Sequence, residues 1–285
     1  MNAMSQSSQL ASEVYPTRTA SLAMYDLEGL QAANDALWSA IASALEVRGV
    51  VGAPQALLRG QPLDPVWSDP DLLLGQACGY PLGDLIANHQ VRLVATPRYQ
   101  APGCDGPYHR SAVVVRADSR ATALADLFGG RCALNDYKSN SGMNLLRFEV
   151  APLARDGRFF GSVVITGSHQ RSAEQVAEGA SDVAAIDCIT LAHLQQLRPD
   201  LTRRLRVLTW TVRSPGLPLI TGRNTDAATH DALRSALEAV ECDPALQDVR
   251  AVLMLKGFNA LPASHYCLIG HFEQMAITQG FPTLS

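Results

Sequence analysis

The strongest constraint on this chain is an alternation that runs through most of its length. Short apolar runs at about residues 20–25, 91–96, 111–116, 132–134, 162–166, 182–187 and 205–212 read as strands, and residues 71–77 as a short apolar segment. Between them lie stretches with helical spacing, at about 30–47, 81–88, 124–128, 141–152, 171–178 and 189–197. In the first of these, Leu30, Leu37, Ile41 and Leu45 fall on one face. Pro81 suits a first helical turn, and Gly129-Gly130 stops the segment before it. After an extended piece at 215–220, three helical segments follow at 225–240, 244–255 and 266–279. Strands that alternate with helices predict parallel sheets covered by helices. In such sheets ligands bind where a strand ends and a helix begins.

Length and charge narrow the function. A chain of 285 residues suits two lobes of roughly 100–150 residues each. Its 23 basic and 27 acidic residues give a net charge of −4, which is no electrostatic footprint for nucleic acid. An anion bound here must be recognised by local groups and not by overall charge. No apolar run reaches the roughly 18 residues of a membrane helix, so no membrane insertion is expected. Residues 1–18 read as a loosely attached leader without the basic start and apolar stretch of a secretory signal. The chain is therefore expected in the periplasm if a leader precedes it, and in the cytoplasm otherwise. Its six cysteines are scattered, with no CxxC pair, and read as reduced, partly buried thiols. Neither a metal nor a cofactor is expected.

Three strand-to-helix loops carry the candidate chemistry. Residues 136–144 place Ser139, Asn140 and Ser141 at a helix start, where unpaired N–H groups and the helix dipole favour a phosphate-type group. Gly142 permits a close backbone approach, although Ser and Asn are also ordinary N-caps. The second loop, Thr166-Gly167-Ser168-His169, offers an imidazole that could donate to an oxyanion or simply cap. In the third, Asp187 follows an apolar run and could hold a ligand amine, anchor a hinge or cap the next helix. No nucleophile, base and orienter assemble from these residues, so no catalytic residue is assigned.

In order, Tyr108-His109-Arg110-Ser111 through Ser119, Leu124-Ala125-Asp126-Leu127-Phe128-Gly129-Gly130, Ser139-Asn140-Ser141-Gly142, Thr166-Gly167-Ser168-His169 and residues 176–185 form a recognisable set. This stretch resembles the second lobe of periplasmic phosphonate-binding proteins, the binding components of phosphonate ABC importers. The resemblance implies that Ser139, Asn140, Ser141 and His169 hold an anionic head group. First-lobe residues, often tyrosines, would complete the site, and Tyr25 matches such a position; Tyr108 and Asp187 join the expected ligand-binding set. Asn140 stands where the family commonly has a hydroxyl residue. Also implied is an α/β, two-lobed class II periplasmic-binding-protein fold with two hinge crossovers. Its first lobe would comprise 18–106 and 211–285, its second 107–210. Function and partners follow: a small oxyanion, phosphonate or phosphate-like, as ligand, and an ABC permease as protein partner. The same fold also serves cytoplasmic enzymes of the thiamine-pyrimidine or menaquinone-pathway kind and sensor lobes, which are the alternatives. Among the aromatics, Trp67, Tyr80, Tyr99 and Trp210 are candidates for the cleft or hinge, with core packing as the plainer role.

Overall fold

The computed structural model describes residues 18–285; the leader read at 1–18 lies outside the described residues except for its last position. Two five-stranded sheets organise the chain. The first takes strands β1 (Thr19–Ser21), β2 (Leu72–Gln76), β3 (Val91–Tyr99), β12 (Leu219–Gly222) and β13 (Leu255–Asn259), in the order β1-β2-β12-β3-β13. The second takes β6 (Ser111–Arg116), β7 (Arg131–Leu134), β8 (Ser162–Ile165), β9 (Val183–Asp187) and β10 (Leu205–Trp210), in the order β10-β6-β9-β7-β8. A small antiparallel sheet, β11-β5-β4, built from Ser214–Pro215, Tyr108–His109 and Cys104–Asp105, lies where the chain passes between the two.

Both large sheets are covered on both faces, which explains their uninterrupted apolar runs. In β6, Val113 and Val115 enter one core cluster while Ala112 and Val114 enter another, the period-two alternation of a strand. The first sheet buries Leu73 and Leu74 against α1 (Gln31–Val47) and α8 (Ala227–Cys242). On its other face Leu72 and Ile220 meet α3 (Gly79–Ala87) and α10 (Ala263–Thr278). The amphipathic stripe read in the sequence is the one used, since Leu37, Ile41 and Leu45 of α1 are all buried.

Three expectations are corrected. The sheets are mixed, not parallel: β7 runs parallel to β8 and β9, but β6 is antiparallel to β9, β10 to β6, and β12 to both β2 and β3. The reason is the crossings: β6 and β12 enter their sheets from the hinge and so run opposite to β9 and β10 and to β2 and β3, which lead toward it. Residues 244–255 do not form one helix. After Pro244–Leu246 and α9 (Gln247–Val252) the chain passes through Met254, at φ +53°, into the edge strand β13. The third correction concerns the tail. The resemblance places residues 211–285 in the first lobe, yet Ala276, Phe281 and Leu284 lie in the core of the second sheet. The Phe159 and Phe160 amides donate to the Ser285 carbonyl at 2.7 and 2.9 Å, and the Arg147 guanidinium donates to the Pro282 carbonyl at 2.7 Å. Gly280, at φ +78°, turns the chain after α10 so that Phe281 can fill that core. Helix α10 is thus a third connection between the sheets.

Candidate functional site

Because β7, β8 and β9 are mutually parallel, their carboxyl ends, and the helices that follow, open on one edge of the second sheet. After β7, Asn140–Asn144 form a π-helical turn continuous with α4 (Leu145–Val150). After β8 comes α5 (His169–Glu178), and after β9 comes α6 (Cys188–Leu197). Each start is capped by a short polar side chain. Ser139 Oγ accepts from the Gly142 amide at 3.0 Å, Ser168 Oγ from Arg171 at 3.2 Å, and Asp187 Oδ1 from Ile189 and Thr190 at 2.9 and 3.0 Å.

These ends face a cleft of about 770 Å³ between the sheets. Ser139, Ser141, His169, Lys138 and Thr190 line it from the second sheet, and Asp26, Asp64, Trp67 and Cys78 from the first. Ser141 Oγ and His169 Nε2 are 2.8 Å apart and hydrogen-bonded. Burial pushes the His169 imidazole below its ordinary pKa, with His109 adding to the effect, while Asp187 and the Ala185 carbonyl oppose it. His169 is therefore neutral at neutral pH. Gly142 is needed because a Cβ there would stand 1.8 Å from Asn135 Oδ1 and 3.2 Å from His169 Cε1. At the mouth, the Lys138 ammonium pairs with the Asp64 carboxylate across the cleft. The Asn140 amide donates to Cys78 Sγ at 3.5 Å, a second contact between the sheets.

Of the residues expected at the site, Ser139, Ser141 and His169 share this cleft. Four others do not line it. Asn140 is buried, and its side-chain Nδ2 donates to Ser214 Oγ at 2.9 Å, so it ties the site loop to the second crossover. Asp187 is also buried; besides capping α6 it accepts the Tyr25 hydroxyl at 3.1 Å. Tyr25 is thereby the residue that joins the first lobe to the floor behind the cleft, and burial first, then Asp187, pushes its phenol well up. Tyr108 lies elsewhere. The pairing of β5 with β11 sets Tyr108 opposite Pro215, and its hydroxyl bonds His265 Nδ1 of α10 under the Arg213 guanidinium. The aromatic candidate Trp67 does line the cleft, with its indole N–H fixed on the Gln76 carbonyl at 3.0 Å. Asp26, Asp64, Cys78 and Thr190 also line the cleft and are not among the residues the sequence points to. Asp64 sits on the short helix Leu63–Ser68, whose internal proline hides it from periodicity.

The sequence profile of the family described as ABC transporter, phosphonate, periplasmic substrate-binding protein matches residues 73–266. The chain belongs to this family. It is accordingly a solute-binding protein and not an enzyme. No curated protein matches it by sequence. Solved structures share its two-lobed type II binding-protein fold. One is the binding protein component of an ABC phosphonate transporter from Pseudomonas aeruginosa, with TM-score 0.74 and 18% identity over 92% of this chain and 86% of that one. Another is PhnD1 from Prochlorococcus marinus in complex with methylphosphonate, with TM-score 0.70 and 15% identity over 91% and 98% of the two chains. A Xanthomonas citri protein bound to ATP superposes with TM-score 0.68 and 15% identity over 93% and 98%. At these identities the likeness speaks for the fold alone. Among the described residues no helix is long and apolar enough to cross a membrane.

Proposed function

We propose that the chain captures a small oxyanion, phosphonate or phosphate-like, in the cleft between its sheets and delivers it to the permease of an ABC importer from the periplasmic side. The observation that carries this is the convergence of three capped helix starts, with Ser139, Ser141 and neutral His169, on one cleft wall. Hydroxyl and imidazole N–H groups donate to an oxyanion, and the dipole of α5 favours negative charge there. The ligand reading also draws on the structure from Prochlorococcus marinus, whose ligand is methylphosphonate. In this reading the lobes divide near residues 107 and 211, with the tail beyond Ala276 returned to the second lobe. Closure is a hinge motion of the crossings, and the Tyr25–Asp187 and Lys138–Asp64 contacts are made on closing.

A thermal-shift screen with phosphate, phosphite, sulfate, methylphosphonate and an aminoalkylphosphonate tests the ligand class. A true ligand at 100 times its Kd stabilises by about 2.7 kcal/mol. Ser141→Ala then removes a charge-assisted hydrogen bond and weakens binding by about 1–3 kcal/mol. No shift with any of these anions, or full affinity in Ser141→Ala, defeats the proposal.

A further inference from the structure

Behind the cleft, where the first crossover touches the second lobe, two cysteines face each other. Cys104 lies in β4, the outer strand of the crossover hairpin, and Cys188 is the first residue of α6. Their sulfurs are 3.6 Å apart. A disulfide holds its sulfurs at about 2.0 Å, so the pair needs to close by only about 1.5 Å. The backbones are already in register for this. The Arg110 amide donates to the Gly103 carbonyl at 3.0 Å, and the Cys188 amide donates to the Arg110 carbonyl at 3.3 Å. Gly103 makes the approach possible: at φ +95°, a Cβ there would lie 2.9 Å from the Cys188 Cβ and 2.7 Å from the Trp210 ring. The two thiols also differ in access, because Cys188 is buried whereas Cys104 is partly open to solvent.

We propose that Cys104 and Cys188 are a redox modification site, in which a small disulfide oxidant converts the two thiols to a disulfide that fastens the first crossover hairpin to the start of α6. Cys104 is the entry point. The Cys188 S–H donates to its sulfur and holds the Cys104 thiol below its ordinary pKa, while Cys188 is pushed up; the thiolate is the attacking species in exchange. The Cys104 thiolate attacks one sulfur of the oxidant and expels the other as a thiolate. Cys188 then gives its proton to the expelled thiolate and attacks the Cys104 sulfur of the mixed disulfide, releasing the second thiolate. The protein loses two electrons and two protons, and the oxidant leaves as two thiols. The bond makes the hairpin part of the second lobe, so the first crossing can bend only ahead of Gly103. It also fixes the residue next to Asp187, whose carboxylate accepts the Tyr25 hydroxyl from the first lobe.

The test uses the full chain and oxidised glutathione. Reduced protein is incubated with it, denatured in iodoacetamide, digested and mapped by mass spectrometry. The expected result is one species joining the Cys104 and Cys188 peptides, lighter by two hydrogens, with a higher Tm for the oxidised protein than for the reduced one. Cys188→Ser should stop at a glutathione adduct on Cys104, and Cys104→Ser should give no cross-link at Cys188. The mapping of the parent protein decides the matter even if a variant fails to fold. Recovery of both cysteines alkylated after oxidation overturns the proposal, as does a cross-link between other cysteines. His109 and Asp187 offer donor atoms within 4.8 Å of each other and of the Cys188 sulfur. Stoichiometric zinc that shields both thiols from glutathione therefore also overturns it, by assigning the cluster to a metal.

Discussion

Gly142→Ala probes the site loop at its tightest point. The added methyl would lie 1.8 Å from Asn135 Oδ1 and 2.8 Å from Asn135 Cγ, where ordinary non-bonded carbon contacts are about 3.5 Å. Asn135 follows β7, and its carbonyl accepts from the Gly167 amide at 3.0 Å, so pushing Asn135 aside also moves the loop that carries His169. Overpacking of this kind costs about 1–3 kcal/mol. The Asn135 Oδ1 is buried and accepts no hydrogen bond, so no bond resists the shift and the lower half of that range is expected for stability. The loss in ligand affinity should be greater than that in stability, because the 2.8 Å Ser141–His169 contact lies on the two displaced loops. Urea denaturation gives the first quantity, and calorimetric titration with an anion from the screen gives the second. Adding Asn135→Ala removes both atoms that the methyl meets inside 3 Å, so the double variant should recover, with a coupling of about 1–2 kcal/mol in the cycle. Parental stability and affinity in Gly142→Ala, or a double variant no better than Gly142→Ala, would refute the steric argument.

Other consequences concern protons and packing. An oxyanion beside His169 raises its lowered pKa, so affinity should strengthen as pH falls through the pKa of the complex. His169→Gln should lose that slope, and equal pH profiles for parent and variant from about pH 5 to about pH 8 would exclude a protonated His169 in the complex. Burial pushes His193 down to about 4. Between that value and the ordinary histidine pKa of about 6.5 the unfolded chain binds the proton and the native one does not. Stability is therefore full above about pH 6.5 and falls on acidification by at most about 3 kcal/mol. Urea unfolding against pH should show this fall, and His193→Gln should flatten it. Phe281→Ala should cost about 3–5 kcal/mol, since Phe281 is fully buried in the second sheet's core. Hydrogen exchange should quicken in β7 and β8, and acceleration confined to the first sheet would restore the tail to the first lobe.

The sequence by itself determined what depends on local periodicity and on the residue after each strand. Strands β6 and β9 are legible because burial on both faces leaves an uninterrupted apolar run. Helix α1 is legible because one face is buried, with Leu37, Ile41 and Leu45 at helical spacing. Ser139, Ser168 and Asp187 could be placed at helix starts because capping is a contact within three residues. The ordered motifs between Tyr108 and Ala185 pointed to the family, which the profile over residues 73–266 bears out. What joins distant parts of the chain was decided only by the tertiary structure. Tyr25 meets Asp187 across 162 positions, Lys138 meets Asp64 across 74, and Cys104 meets Cys188 across 84. Strand direction depends on which side of the hinge a segment enters from, and no property of β6 or β12 taken alone records that. Tyr25 and Tyr108 both stand beside an apolar run in the sequence, yet one lies behind the cleft and the other lies in β5, bonded to His265 of α10. Periodicity reports how much of a residue is buried; which partner buries it is set by the closure of loops tens of residues long, whose energies no local pattern contains.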